Sequence, residues 1–364
     1  MVNRQIEILT DAFAINTDEA DLSSLRFVPK DRHHRIVIGT MRTYGHGVGK
    51  INSAAAKLMA EGQAAITDII LKSRKFHESD AIVVVASGGG GTGSGSIGWL
   101  IKGLKERVEQ AVYGVVVLPF GYEEKGESSY AVINTATCLE MVNRYADAVF
   151  LLDNGRFGRA DTSISQNFRD INRAMVKNFY DLFCAGEERK QRYVGSKILD
   201  AGDIKVSLEG ISTIGRGEIS LSAFHAFKRE SFREGLKEHT SAASALQQAE
   251  NDLSLRIELA DARNILVLVS APKDVITLGL LEEIFSLLQE ESPKAVIRMG
   301  DYPRRGKEIS VTVVPSKITK LARIEELYTT AKAMLKRRDE IDSETAEKLK
   351  RIQEHASNLP ALDQ

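Results

Sequence analysis

Apolar positions in the first half of the chain fall into two kinds of run. Ala81-Ile82-Val83-Val84-Val85-Ala86, Val112 to Leu118 and Ala148 to Leu152 are short and lack polar alternation, which fits strands of a parallel sheet covered on both faces. Phe13-Ala-Ile15 and Arg35-Ile-Val-Ile38 are shorter strand-like segments. Between these runs, Ala54 to Leu71, the stretch carrying Ile97, Leu100, Ile101 and Leu104 up to about Gln110, and Tyr130 to Tyr145 repeat at helical spacing. Strands alternating with helices predict an α/β domain built on a Rossmann-like parallel sheet. A long helical pattern from about Ser165 to Ala185 ends near Gly186. Beyond it, strands at Glu209–Ile214, Ala262–Ser270, Ala295–Met299 and Glu308–Val314, with helices at about 221–250 and 276–290, predict a smaller α+β unit. The tail from Lys317 to about Ala356 is helical. Leu321, Ile324, Leu327, Tyr328, Ala331 and Leu335 give its first part an apolar face expected to pack on the body, and the charged second part should be a solvated helix. The expected division is 1–163, a central helix over 164–186, 187–316, and a helical tail over 317–364.

Composition narrows the partners more than the fold. The 364 residues are 43% hydrophobic and 27% charged, with a formal net charge of −1, an ordinary globular balance. That charge gives no reason to expect nucleic acid or an anionic membrane as partner. Cys138 and Cys184 lack metal-ligand spacing and read as buried free thiols in a reducing compartment. No secretory signal, membrane-length apolar run or lipidation box is evident, so the expectation is a cytoplasmic protein that is not integral to a membrane.

The chemistry concentrates in Ser87-Gly88-Gly89-Gly90-Gly91-Thr92-Gly93-Ser94-Gly95, between a strand and a helix start. Without β-carbons, backbone N–H groups can approach phosphate oxygens closely, and the helix N-terminus adds partial positive charge. A Walker loop would end in Gly-Lys-Ser/Thr, yet no lysine occurs between Lys75 and Lys102. The stretch Gly89-Gly90-Gly91-Thr92-Gly93-Ser94-Gly95 instead resembles the signature loop of the tubulin/FtsZ superfamily. That resemblance implies a tubulin/FtsZ fold, a GTP/GDP site at this loop, and GTP hydrolysis.

The likeness extends over almost the whole chain. Asn16-Thr17-Asp18 resembles the family's turn near the γ-phosphate and its Mg2+, with Asp18 as the hard oxygen ligand. Gly45-His-Gly47-Val48-Gly49 resembles the loop that senses the γ-phosphate through its backbone. Pro119-Phe120 followed by Glu123, Glu124 and Glu127 resembles the ribose loop. No arginine follows the glutamates as in FtsZ proper, so the choice among the three stays open. Asn154 resembles the family's asparagine near the sugar. Phe168 and Asn172, four apart on the long helix, correspond to the family's ring on guanine and its base-edge hydrogen bond, although a core phenylalanine and a surface asparagine would give the same pattern. In Asp200-Ala-Gly-Asp203 the family places acidic residues that enter the next subunit's nucleotide site and polarise the attacking water, Asp203 before Asp200. Such a shared site implies head-to-tail protofilaments.

Gly45–Gly49, the spacing from Asn134 to Asp147, Leu152-Asp153-Asn154 and Gly300-Asp301-Tyr302-Pro303 bring the chain nearer the archaeal CetZ branch, associated with cell shape, than FtsZ proper. Partners implied are further copies of the chain, with paralogues or a membrane adaptor possible. One departure stands out: Met1-Val-Asn-Arg-Gln-Ile6 resembles the middle of the family's first helix, so the preceding strand and its glycine loop have no counterpart. The expectation is an internal start that exposes neighbouring sheet edges, leaves an unfilled core and lowers nucleotide affinity. A non-catalytic structural or regulatory homologue is therefore the alternative to a GTPase. A dinucleotide oxidoreductase fits poorly, because its glycine loop follows the first strand and no hydride-transfer site is evident.

Overall fold

The computed structural model describes residues 11–73, 76–125, 130–159, 161–185, 194–221 and 240–337. The continuous apolar runs form a parallel sheet of Ala81–Ser87 (β3), Ala111–Leu118 (β4), Ala148–Asp153 (β5) and Gly210–Ser212 (β6), in that spatial order. Every residue of β5 is buried, as is all of β4 except Val117, which explains why neither run alternates. Ala14–Asn16 (β1) and Arg35–Val37 (β2) pair in parallel as a separate two-stranded sheet. β3 ends the four-stranded sheet with Val83 and Val85 40% and 63% exposed, and a cavity of about 440 Å³ lies between this edge and β1.

Asn52–Leu71 (α3), Thr92–Lys105 (α4) and Tyr130–Tyr145 (α6) cover one face. Met59, Ile97, Ile101, Leu104, Cys138 and Val142 pack there on Val112, Val116 and Leu151. Short helices at Glu19–Ser24 (α1), Thr40–Thr43 (α2), Gly121–Glu124 (α5) and Asn154–Phe157 (α7) occupy the connections. Both cysteines are buried free thiols.

The long helix Ile164–Ala185 (α8) covers the other face and is shared. Ile171, Met175, Phe179 and Leu182 pack with Val115 and Phe150 of the first sheet and with Leu266, Leu268 and Val314 of a second. That second sheet, in spatial order, is Gly215–Ser220 (β7), Glu308–Ser316 (β10), Asn264–Ala271 (β8) and Val296–Pro303 (β9). Its β8–β9 pair is parallel and the other two pairs are antiparallel. Thr240–Asn251 (α10) and Leu278–Glu291 (α11) cover its far side. Ala201–Ser207 (α9) leads from α8 into β6.

Two expectations need correction. The strand expected over Glu209–Ile214 as part of the smaller unit is β6, an edge strand of the first sheet, and the second sheet begins with an unexpected strand, β7, with the buried Thr213 Oγ1 2.8 Å from Ser254 Oγ at the crossing. Gly215 and Gly217 let α10 lie directly on β7, since a β-carbon on either would fall about 2 Å from the Ala249 or Ala245 carbonyl oxygen. In the tail, residues 322–337 form a helix (α12) whose Ile324, Leu327 and Ala331 are buried, the last two against Val132 and Ala136 of α6. Leu335 is 46% exposed: the apolar stripe outruns the surface it packs on. The charged second part of the tail lies outside the described residues.

Candidate functional site

Strands β3, β4 and β5 end level, because Ser87 pairs with Val117 and Leu118 with Asp153. The loops leaving them therefore open on one crevice at the carboxyl edge of the sheet, where open α/β sheets bind ligands. The glycine loop leaves β3, Pro119-Phe120 leaves β4 and Asn154 leaves β5.

The first of these loops is built as an anion cradle. Gly91, the N-cap of the 14-residue α4, offers no side chain to the helix start, and the first backbone donor engaged there is Gly95 N, to Gly91 O at 3.1 Å. The start of the helix thus keeps its N–H groups and its positive dipole end available. Gly90 opens on free space, whereas a β-carbon on Gly91 would fall 2.8 Å from Val48 and 2.9 Å from the Lys50 Cα. The two glycine-rich loops are therefore in contact, and Gly47, Val48 and Gly49 lie beside Gly91. Gly47 and Gly49 have φ of +80° and +58°, values that disfavour any residue with a β-carbon.

The turn after β1 closes the same crevice. Asn16 Oδ1 accepts from Thr17 N at 2.7 Å, and Thr17 Oγ1 lies 2.6 Å from Thr92 Oγ1 at the start of α4. Asp18 caps α1 with one carboxylate oxygen, accepting from Ala20 N at 2.9 Å and Asp21 N at 3.1 Å, while its backbone forms an isolated antiparallel β-bridge with that of His46. Its other oxygen, Oδ2, faces Gly47. Among the described residues no cluster of three or more His, Cys, Asp or Glu could hold a metal ion. A divalent cation here would rest on Asp18 Oδ2 together with ligand oxygens and water, the pattern Mg2+ favours.

The remaining candidates divide. Phe120 is buried and Pro119 abuts Gly89. Glu123 Oε2 accepts from Phe120 N at 2.9 Å, so this carboxylate caps α5. Glu124 pairs with Arg323 of α12, and Glu127 lies outside the described residues. Asn154 is buried at the start of α7. Phe168 is not a core residue: it is 42% exposed and sets its ring against Phe120 at 5.6 Å, and Asn172 on the same helix face is exposed.

Asp200 and Asp203 are elsewhere. Asp200 caps α9, accepting from Asp203 N at 2.8 Å. From α9 the chain enters β6, whose Gly210 pairs with Ala148 at the start of β5. The acidic loop thus lies at the amino edge of the sheet, with the 22 residues of α8, about 33 Å, running between the two ends. Within one chain these carboxylates do not reach the glycine loop.

Three side chains at the crevice are given no role of their own by the sequence. Asn134, 1% exposed, donates its side-chain amide to the carbonyls of Lys50 (2.9 Å), Gly90 (3.0 Å) and Gly89 (3.3 Å), which holds those carbonyls back from the crevice. Its available signal is a polar pair, Asn134-Thr135, inside an apolar stretch of helix. The fully buried Thr17 ties β1 to α4. Arg323 pairs with Glu124 and reaches Asp153 Oδ2 at 3.4 Å. Burial works against its charge, but the two carboxylates prevail and hold its pKa above the ordinary value. No local pattern links residues so far apart.

Residues 2–160 match the model of the tubulin/FtsZ family GTPase domain, and residues 161–333 match that of the C-terminal domain of tubulin-like CetZ. The tubulin-like protein CetZ1 of Haloferax volcanii is 30% identical over 90% of this chain and 85% of its own. The solved structure of that organism's CetZ1 as a GDP-bound monomer matches with a TM-score of 0.74 at 29% identity, covering 88% of each chain. Its CetZ2, solved as a GTPγS-bound protofilament, matches with a TM-score of 0.75 at 26% identity, covering 90% of each.

Proposed function

The chain belongs to the tubulin-like CetZ family, and from that premise we propose that it is a GTPase that assembles head to tail, each subunit completing the nucleotide site of its neighbour. The observation that carries this reading is the placement of the glycine loop and the Asp200–Asp203 loop at opposite edges of one parallel sheet. A contact joining the two ends in successive copies is heterologous and unclosed, so it generates a filament.

In this reading the N–H groups from Gly89 to Ser94 and the α4 dipole neutralise charge on the phosphates, and the Gly47–Gly49 loop approaches the terminal one. Asp18 is the residue suited to Mg2+, which when bound would offset phosphate charge. Glu123, Glu124 or Glu127 meets the ribose hydroxyls with Asn154 nearby, while the exposed Phe168 ring lies under the base and Asn172 reaches its edge. Asp203 of the next subunit, with Asp200 at its side, accepts a hydrogen bond from the attacking water and aligns it with the γ-phosphorus. The water oxygen bonds to that phosphorus as the bond from it to the β–γ bridging oxygen breaks; one water proton passes by way of Asp203 to solvent and the other stays on the new phosphate, yielding GDP and inorganic phosphate. We place the protein in the cytoplasm with a role in cell shape, working with paralogues or a membrane adaptor. Among the described residues no helix is long and apolar enough to cross a membrane.

The test is GTP turnover against protein concentration, with light scattering for polymer and analysis of nucleotide released on denaturation. Turnover should rise faster than linearly. Asp203→Ala should polymerise with GTP while losing on the order of 100-fold in turnover, the loss typical of a removed general base. Linear turnover, or a fully active Asp203→Ala, overturns the shared-site reading; a chain that neither carries nor takes up nucleotide supports the non-catalytic alternative.

A further inference from the structure

Asp301 lies in β9 of the second sheet and takes no part in the crevice described above. The residue is 3% exposed, and a carboxylate so buried needs full hydrogen bonding to be tolerated. Both oxygens are used by the segment that follows α8: Ser196 N donates to Oδ2 at 3.0 Å and Lys197 N to Oδ1 at 2.5 Å. In return Asp301 N donates to Lys197 O at 2.9 Å. Backbone contact tightens the clasp. A β-carbon on Gly195 would fall 2.2 Å from Asp301 O, and one on Gly300 would fall 2.6 Å from Lys197 O. Two residues beyond the clasp, Leu199 is buried in the core shared by the two sheets, and Asp200 begins the cap of α9.

We propose that Asp301 is a positioning residue that fixes the Asp200–Asp203 loop for attack on the neighbouring subunit's nucleotide, and this rests on the shared-site reading above. Without it, Asp200 and Asp203 stand on a seven-residue helix whose own cap is the exposed Asp200. The Asp301 carboxylate adds two hydrogen bonds to the backbone one that joins the segment entering that helix to a buried strand. Aligning a water with phosphorus demands sub-ångström placement, and a displacement of about 1 Å can cost roughly 100-fold in rate. A carboxylate suits the task because it presents two acceptors to two adjacent N–H donors. An amide there would set its own NH2 against one of them.

The experiment compares Asp301→Asn, Asp301→Glu and Asp203→Ala in the full chain. Each is loaded with γ-32P-GTP and followed through a single turnover, alone and then diluted into a tenfold excess of wild-type chain carrying unlabelled GTP. Asp301→Asn alone should form polymer and bind GTP within about threefold of wild type, yet hydrolyse at least tenfold more slowly. In wild-type excess its own labelled GTP should be cleaved at the wild-type rate, because the neighbour then supplies an intact acidic loop. Asp301→Glu, which keeps two acceptors, should recover part of the rate on its own. Should Asp301→Asn fail to fold, Gly195→Ala is read in the same way, since its methyl displaces the clasp and leaves the carboxylate in place. A variant that hydrolyses normally as a homopolymer overturns the proposal, as does one that stays slow in wild-type excess while Asp203→Ala is rescued. If Asp203→Ala is itself fully active alone, the shared-site reading falls instead.

Discussion

Replacing Asn134 tests whether the glycine loop is held open from beneath. Its amide carries two protons and faces three carbonyl oxygens at 2.9, 3.0 and 3.3 Å, so about two net hydrogen bonds are at stake. At about 1 kcal/mol each, plus part of the cost of a buried carbonyl left unpaired, Asn134→Ala should destabilise the loop by about 2–3 kcal/mol. Gly90 O keeps the Ser94 hydroxyl as donor, whereas Lys50 O and Gly89 O lose the donor they have. If that strain is relieved by the loop leaving its ligand-ready form, nucleotide affinity falls roughly 30- to 140-fold, since each 1.4 kcal/mol is a factor of ten. Titration calorimetry with GDP and a thermal melt on the same sample measure both parts. Asn134→Asp should be worse than alanine, because a carboxylate would face three carbonyl oxygens. An alanine variant that binds GDP within threefold of wild type, with an aspartate variant no weaker, would refute the bracing argument.

Other expectations follow from charge. Arg323→Ala leaves Glu124 and the buried Asp153 without the guanidinium that joins them, so the chain should lose about 1–3 kcal/mol of stability and α12 should exchange its amides faster. Arg323→Lys should recover only part of this, because a single ammonium replaces a fork that engages two carboxylates, and an equal recovery would remove the geometric argument. Glu250 is pushed up to about 7 by burial and then by Glu291 and Glu258 nearby. Its folded pKa lies above the unfolded value, so the folded state holds the extra proton. Its stabilising contribution is complete below about pH 4.5 and lost as pH rises towards 7. The melting temperature should fall across that window, and Glu250→Gln should flatten the fall; an unchanged slope in the variant would assign the effect to other groups.

What the sequence determined by itself is local and chemical. Runs such as Val112–Leu118 and Ala148–Leu152 have no polar face to expose and read as inner strands, and a glycine stretch between a strand and a helix reads as a close-approach loop. The apolar periodicity likewise marked α8 to within a residue at its start. Tertiary structure decided what depends on separation along the chain. Two glycines in Gly215-Arg-Gly217 look like a turn until α10 lies on them, which is why strand β7 was not expected. The pairing of Glu124 with Arg323 joins a loop to a helix 199 positions later, and Asp301 meets Ser196 across 105. No periodicity records such contacts, because burial and hydrogen-bond satisfaction are settled only when the sheets and α8 have packed. The separation of the glycine loop from Asp200 and Asp203 belongs to the same class. It follows from the strands all running one way, so that loops leaving their carboxyl ends and segments entering their amino ends lie a whole sheet apart.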